Sequence, residues 1–293
     1  MRMIFIFIDG FGIGEDNAGR NPLCSANAPA IGRLYREFTM IPTDACLGIP
    51  GLPQSATGQT AIFTGVNAPM VLNRHINGQP TVTLKKIINR NNLFLELKKM
   101  GLSITNANVY RNEYLQKMMN PADRRHRPSV TSVMTMSAGI KFLTVEDYKK
   151  GKGVYHDITG QILKDSGYEV DIIAPEEAAR RLVNISRESD FTLYEHFMTD
   201  IIGHKMDMEL AVKEIELLDA FLGEVLRLVN LTEDVVIITS DHGNIEDVSV
   251  KTHTFNKVPT FLLGNMCENS EKGIHSLVDI MHVVLDIFRK QRG

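Results

Sequence analysis

The sequence predicts an α/β fold in which a mostly parallel sheet carries helices on both faces. Its strand-like runs are short and continuously apolar, as in strands that are buried on both sides: Met3–Ile8, Val235–Thr239 and Thr260–Leu263. Segments with helical periodicity separate these runs along the chain. Such alternation of strands and helices is typical of a sheet that is covered by helices on both sides.

Five segments show the helical pattern: Ala30–Phe38, Leu84–Met100 with a break near Asn91 and Asn92, Pro175–Ile185, Met208–Val229 and Leu277–Arg289. The pattern is clearest in the fourth segment, where apolar residues such as Leu218 and Leu222 form a broad stripe between charged ones. We therefore expect this helix to pack against the sheet with its apolar face.

Composition excludes several classes of protein. Of the 293 residues, 43% are hydrophobic and 23% are charged, which suits a folded core and excludes a disordered chain. The net charge of −3 provides no positive field for nucleic acid or an anionic membrane. The first apolar run ends at Asp9 and is too short for a bilayer span or a signal peptide. We expect a cytoplasmic protein that binds neither nucleic acid nor membrane.

The middle of the chain differs from the two ends. It contains a basic run, an aperiodic stretch rich in Ser, Thr and Met (Ser129–Ser137), and then frequent glycines. The basic run consists of Arg124, Arg125, His126 and Arg127. We expect residues 110–168 to form a small insert or cap, and residues 1–109 and 169–293 to form one core.

Seven residues of metal-binding or nucleophilic type lie just after apolar runs or in a glycine-bounded turn: Asp9, Ser55, Asp200, His204, Asp241, His242 and His253. Ligands of open α/β sheets bind beyond the carboxyl ends of the strands, so we expect these loops to converge on one crevice. Taken singly, each residue has a simpler explanation, such as a turn for Asp9, a helix N-cap for Ser55 or Asp200, and a solvated loop for His253. Their common position at one sheet edge favours a shared metal site.

The types of donor atom indicate two divalent ions. Carboxylates and imidazoles suit Mn²⁺, Zn²⁺ or Mg²⁺, whereas three widely spaced cysteines provide neither a thiolate site nor a disulfide framework. Seven ligands are too many for one ion, but two ions would each keep room for a substrate oxygen. Their positive charge would balance three carboxylates and a serine alkoxide, so a phosphate dianion could enter. A metal-bound Ser55 would ionise readily, and the backbone N–H groups after it would face phosphoryl oxygens.

These residues resemble those of the alkaline phosphatase superfamily, and most closely its cofactor-independent phosphoglycerate mutase and phosphopentomutase branch. The resemblance covers residues 1–70 and 190–290. It implies an alkaline-phosphatase-like core sheet with a small inserted cap. It further implies that one ion is held by Asp9, Ser55, Asp241 and His242, and the other by Asp200, His204 and His253.

Glycine spacing within this resemblance identifies the nucleophile. In that family a glycine follows the nucleophile three residues on and another ten residues on, and Gly58 and Gly65 stand at these distances from Ser55. The related mutases carry His where this chain has Gln59. Their inserted domains are also larger than the 125 residues between Gly65 and Phe191 allow.

We expect a metal-dependent phosphoryl-transfer enzyme that hydrolyses a small phosphorylated metabolite through a phosphoserine on Ser55. A phosphomutase is the main alternative. Further alternatives are a non-catalytic metal-binding protein and a metal-dependent amide hydrolase. Candidate contacts to the substrate anion are Gln59, Arg124, Arg125 and Arg127, with Arg111 as a weaker candidate. The simpler explanation of the arginines is a solvated basic run. The sequence gives no indication of the oligomeric state.

Overall fold

The computed structural model describes residues 1–120, 123, 125, 127–267 and 269–291. The strands are β1 (Arg2–Ile8), β2 (Met40–Thr43), β3 (Ile104–Asn106), β4 (Val109–Tyr110), β5 (Leu143–Thr144), β6 (Phe191–His196), β7 (Asp234–Thr239) and β8 (Val258–Leu263). Short 3-10 helices lie at Pro22–Cys24, Asn265–Cys267 and Glu271–Gly273.

The α-helices cover both the ends and the middle of the chain. They are α1 (Pro29–Glu37), α2 (Ser55–Thr64), α3 (Ala68–Leu72), α4 (Val82–Arg90), α5 (Leu93–Lys99), α6 (Asn112–Met119), α7 (Val130–Ser137), α8 (Val145–Lys149), α9 (Gln161–Asp165), α10 (Pro175–Ser186), α11 (Met198–Gly203), α12 (Met208–Leu228) and α13 (Asp279–Lys290). Within the described residues, no helix is both long enough and apolar enough to span a bilayer.

The main sheet has the strand order β2-β8-β7-β1-β6-β3. Strands β7, β1, β6 and β3 are parallel, whereas β8 runs antiparallel to both β7 and β2. The predicted mostly parallel sheet is therefore confirmed, although the run Thr260–Leu263 belongs to an antiparallel strand. A continuous apolar run indicates burial on two faces and says nothing about strand direction, which is why the sequence did not distinguish β8.

Alternate residues of β1 enter two separate cores. Phe5 and Phe7 lie in one hydrophobic cluster, together with residues of α2, α4, α5, α7 and α13. Ile4 and Ile6 lie in the other, together with residues of α1, α10 and α12. Because the side chains of a strand alternate between the faces of a sheet, a strand without polar residues is stable only when both faces are covered. The prediction of helices on both faces is confirmed.

The predicted break in Leu84–Met100 is confirmed, because this segment forms two helices, α4 and α5. Asn92 is the N-cap of α5, and its Oδ1 accepts a hydrogen bond from the backbone N–H of Leu95 at 3.1 Å. Such a cap satisfies an N–H group that has no acceptor within the new helix. The asparagine therefore favours a new helix start over a continuous helix.

Residues 110–168 contribute to two packing clusters. Strands β4 and β5 pair as a separate two-stranded sheet, and Leu163 belongs to a small cluster beside it. Val133 and Met134 of α7 instead pack in the cluster of Phe5 and Phe7. The sequence showed no helical period in α7 because residues 130–135 are all buried, so no polar face marks the helix. The assignment of 110–168 as a cap stays a prediction.

Phe63 holds α2 against β1, so its removal should destabilise the protein. Its ring centroid lies 5.6 Å from that of Phe5 and 5.7 Å from that of Phe7, and the side chain is fully buried. We expect Phe63→Ala to lower the free energy of unfolding in urea by about 3–5 kcal/mol, through lost contacts and a residual cavity. Val82→Ala, at an exposed position of α4, is the control and should change it by less than about 0.5 kcal/mol. Similar effects of the two substitutions would contradict this packing.

Candidate metal centre

Three neighbouring parallel strands bring the candidate ligands to one edge of the sheet. Asp9 follows β1, Asp200 lies in α11 after β6, and Asp241 and His242 follow β7. Strand β1 lies between β6 and β7, so the Asp9 loop is flanked by the other two. The structure thus brings these loops together at the carboxyl ends of the strands.

The loops approach so closely that two glycines are required. Gly10 has a φ of 70°, and a Cβ atom there would lie 2.9 Å from Cβ of Asp200. At Gly203 a Cβ atom would lie 2.6 Å from Oδ1 of Asn244. Asn244 donates a hydrogen bond from Nδ2 to Oδ1 of Asp200 at 2.6 Å. Gly203 therefore leaves space for the amide that orients the Asp200 carboxylate.

Asp200, His204 and His253 form a first group of converging donor atoms. The Nε2 atoms of the two histidines each lie 3.4 Å from Oδ1 of Asp200, and 3.2 Å from one another. Nδ1 of His204 lies 2.7 Å from the carbonyl oxygen of Lys251, and Nδ1 of His253 lies 2.8 Å from that of Pro53. Because a carbonyl oxygen only accepts, each Nδ1 carries a proton and each Nε2 of a neutral ring presents a lone pair. Three acceptor atoms therefore face one another, an arrangement that a bound cation stabilises.

Asp9, Ser55 and His242 form a second group beside the first. Nε2 of His242 lies 3.0 Å from Oγ of Ser55 and 3.2 Å from Oδ1 of Asp9. The His242 ring stacks on that of His253, with 3.7 Å between the centroids. Donor atoms of Asp9, Asp200 and His242 lie within 4.8 Å of one another. Asp200 therefore stands between the two groups.

Gln59 and Gly10 hold the Asp241 carboxylate close to that of Asp9. Nε2 of Gln59 donates to Oδ2 of Asp9 and to Oδ2 of Asp241, both at 3.1 Å. The N–H of Gly10 donates to Oδ1 of Asp241 at 3.4 Å, and Oδ2 of Asp241 lies 3.6 Å from Nε2 of His242. The Gln59 amide thus bridges two carboxylates at the wall of the cavity. A substrate contact for Gln59 stays a prediction.

Burial makes negative charge on the carboxylates at this edge costly. Burial, and then the charge of Asp241, raises the pKa of Asp9 to about 7, and burial raises the pKa of Asp241 as well. Burial by itself lowers the pKa of His242, but the charges of Asp241 and Asp9 outweigh it and raise this pKa to about 10. Burial likewise opposes ionisation of Asp200, but His253 and His242 outweigh it when their Nε2 atoms carry a proton, and then lower its pKa to about 2. The carboxylates therefore ionise readily only beside a positive charge, as metal ligands do.

The residues at this edge fit divalent metal ions. Oδ1 of Asp9 is buried and, within the described part of the chain, makes no hydrogen bond. Such an atom has lost its water without gaining a hydrogen bond, and a metal ion would compensate for that loss. Carboxylate and imidazole donors without sulfur are typical ligands of such ions.

A cavity of about 350 Å³ opens from these ligands towards the middle of the chain. Asp9, Ser55 and Asp200 line it, and so do residues 108–111. Arg111 is therefore a cavity residue, whereas Arg125 and Arg127 are exposed and do not line the cavity. Arg124 lies outside the described residues. Contacts of these arginines with a substrate anion stay predictions.

Sequence reasoning missed three residues that shape the site. Besides Asn244, these are Glu246 and Glu195. Glu246 Oε2 accepts hydrogen bonds from the N–H of Gly12 at 3.0 Å and of Asn244 at 2.7 Å, which ties the loop after β1 to the loop after β7. Glu195 is buried near the end of β6 and lines the cavity. A charged residue within an apolar run was a signal for Glu195, whereas the other two depend on contacts far apart in sequence.

One family match covers nearly the whole chain. The sequence profile of the metalloenzyme superfamily matches residues 1–291. The chain belongs to the metalloenzyme superfamily. This confirms the resemblance on which the sequence interpretation rested and supports divalent metal ions as its cofactors.

The relatives and solved structures are similar to different extents. The 2,3-bisphosphoglycerate-independent phosphoglycerate mutase of Antithamnion sp. is 32% identical over 130 residues, which cover 39% of this chain and 25% of that enzyme. The chain thus matches about a quarter of the length of this curated relative. Among solved structures, the PH0037 protein of Pyrococcus horikoshii has a TM-score of 0.62 at 14% identity and covers 99% of this chain and 97% of that one. The alkaline phosphatase of the Antarctic bacterium TAB5 has a TM-score of 0.56 at 14% identity and covers 98% of each chain. These structures confirm the predicted fold class.

Metal content should respond to loss of a single imidazole. We expect the purified protein to hold about two divalent ions per chain by plasma mass spectrometry, and His204→Ala to hold about one, because it loses a donor from the Asp200 group. His75→Ala is the control, since His75 lies outside both groups and faces the carbonyl oxygen of Ile49. Protein without metal, or an unchanged metal content in His204→Ala, would contradict the assignment.

Proposed function

We propose that this chain is a two-metal phosphoryl-transfer enzyme that hydrolyses a small phosphorylated metabolite through a phosphoserine on Ser55. The observation that carries the proposal is the placement of the Ser55 hydroxyl. It lies 3.0 Å from Nε2 of His242, among the candidate ligands and at the wall of the cavity. Its position is not explained by helix capping, because the N-cap of α2 is Gln54 and no side chain caps this helix. A nucleophile fits this position better than a structural serine.

The two groups of donor atoms suit Mn²⁺ or Zn²⁺. In the proposal Asp200, His204 and His253 hold one ion, and the other is held by Asp9, Ser55, Asp241 and His242. When bound, such ions neutralise charge on a phosphoryl group and lower the pKa of a bound hydroxyl. The ligand sets remain part of the proposal.

The first turn of α2 suits binding of the phosphoryl oxygens. The N–H groups of Ala56 and Thr57 lie in this turn, where a helix offers no acceptor of its own and carries partial positive charge. Both follow the nucleophile directly, so a phosphate on Ser55 would lie at the helix terminus.

The proposed reaction has two steps. In the first, Oγ of Ser55 bonds to phosphorus, the bond between phosphorus and the alcohol oxygen breaks, and the alcohol leaves with the proton that Ser55 lost. In the second, a water oxygen displaces Oγ from phosphorus, inorganic phosphate leaves, and Ser55 regains a proton. The chain thus ends each cycle unchanged.

Removal of the Ser55 hydroxyl should abolish turnover. We expect Ser55→Ala to lower kcat for p-nitrophenyl phosphate at least about a thousandfold, and to remove the phosphoserine detected by mass spectrometry after acid quench. Thr57→Ala is the control, because it removes a nearby hydroxyl that bonds to the backbone of Gln54 and Ile76. We expect the control to retain kcat within about tenfold. Unchanged turnover by Ser55→Ala would exclude the phosphoserine route.

A phosphomutase is the second candidate, and the phosphoglycerate mutase found among the relatives favours it. Both functions share formation of the phosphoserine and differ in the group that takes the phosphoryl. A mutase returns it to another hydroxyl of the retained product and must keep water out while the product turns.

The products distinguish the two candidates. We expect metal-loaded protein, given a panel of sugar phosphates and phosphoglycerates, to release inorganic phosphate in proportion to substrate consumed, as followed by phosphorus NMR. Protein stripped of metal by a chelator is the control and should leave every ester intact. Positional isomers without inorganic phosphate would overturn hydrolysis and establish the mutase.

A further inference from the structure

A connected set of hydroxyl groups, ending on a buried carboxylate, lies at the same cavity as Ser55. Oε2 of Glu195 accepts a hydrogen bond from Oγ1 of Thr131 at 2.5 Å. Oγ of Ser129 lies 3.0 Å from that Oγ1 and 2.9 Å from Oγ of Ser132. The Tyr110 hydroxyl lies 3.2 Å from Oγ of Ser132. We call these five residues the hydroxyl chain.

The hydroxyl chain presents polar groups that the proposed metal centre does not use. Glu195, Tyr110, Ser129 and Ser132 all line the cavity, and none belongs to the two groups of converging donor atoms. A hydroxyl both donates and accepts hydrogen bonds. Such a row can therefore exchange its internal bonds for bonds to the hydroxyls of a ligand without any change in net charge.

The buried ionisable group beside the hydroxyl chain is a carboxyl, which is negative when it ionises. Glu195 is 7% exposed, and burial raises its pKa to about 7. Arg111 is the one described cavity residue with a permanent positive charge, but it is partly exposed, and its Nη1 lies 3.3 Å from Oγ of the exposed Ser166. Burial lowers the pKa of His156, another cavity residue, to about 3, so its ring is uncharged at neutral pH. A buried charge acts more strongly than a solvated one, so the ionised Glu195 outweighs Arg111.

We infer that the alcohol part of the substrate carries hydroxyl groups and no second acidic group. The hydroxyl chain binds the substrate's hydroxyl groups, and Glu195 repels a second acidic group. The substrate class is therefore a polyol or sugar monophosphate and not a phosphorylated carboxylic acid. This inference rests on the proposed function, since it assumes that the phosphate binds at Ser55. It separates this chain from relatives that are named for phosphoglycerate, which is a phosphorylated acid.

Two simple esters with the same carbon skeleton test the inference. Glycerol 3-phosphate carries a hydroxymethyl group at the position where 3-phosphoglycerate carries a carboxylate. We expect kcat/KM of the metal-loaded protein, at about pH 8 where Glu195 is largely ionised, to favour glycerol 3-phosphate at least about tenfold. Affinities of metal-loaded Ser55→Ala, measured by titration calorimetry, should favour the same ester.

Two matched variants assign the preference to Glu195. Glu195→Gln removes the charge but keeps an oxygen that accepts from Thr131, so it should reduce the preference to less than about threefold. Glu188→Gln makes the same chemical change at an exposed residue before β6, at the opposite edge of the sheet, and should retain the wild-type preference. The wild-type comparison tests the inference even if Glu195→Gln does not fold.

The outcomes separate this inference from the proposed function. Equal or better use of 3-phosphoglycerate, binding of neither ester, or a wild-type preference in Glu195→Gln would overturn the inference. Selective binding of glycerol 3-phosphate to Ser55→Ala, without turnover of any ester by the wild-type protein, would support the inference and contradict the proposed function.

Discussion

The burial of carboxylates at one sheet edge is the constraint on which the rest of the structure depends. Asp9, Asp200 and Asp241 lie in the loops after three adjacent strands, and Asp241 is fully buried. Buried carboxylates destabilise a fold unless positive charge and hydrogen bonds compensate for the lost water. The imidazoles of His204 and His253 cannot provide that compensation while neutral, since their Nε2 atoms are themselves acceptors. This excess of acceptor atoms is the physical basis for placing divalent ions here.

Features around the ligands serve the same constraint. The apolar strands are buried on both faces, so the strand ends and the loops that follow them have little freedom to move apart. Gly10 and Gly203 permit close approach of those loops, and Glu246 joins two of them through backbone N–H groups. Asn244 then fixes the orientation of one carboxylate. A precise donor arrangement is thus a property of the whole sheet edge.

Local signals in the sequence were sufficient for much of this arrangement. The apolar run of β1, the stripe of α12 and the break before α5 predicted those elements, and adjacency to a strand end located Asp9. Signals that depend on distant partners were not available: the direction of β8 is set by β7 and β2, and the contact of Asn244 with Asp200 joins residues 44 positions apart. The basic run was equally uninformative, because clustered charge does not indicate which side chains face a cavity. Arg111, outside that run, lines the cavity, whereas Arg125, within it, does not.

Anomalous diffraction from crystals of the Mn²⁺-loaded protein would locate the ions directly. We expect two anomalous peaks at the carboxyl edge of the sheet. One should lie at coordination distance, about 2.0–2.3 Å, from Asp200, His204 and His253, and the other at that distance from Asp9 and His242. Absence of peaks at this edge, or peaks confined to other acidic residues on the surface, would contradict it.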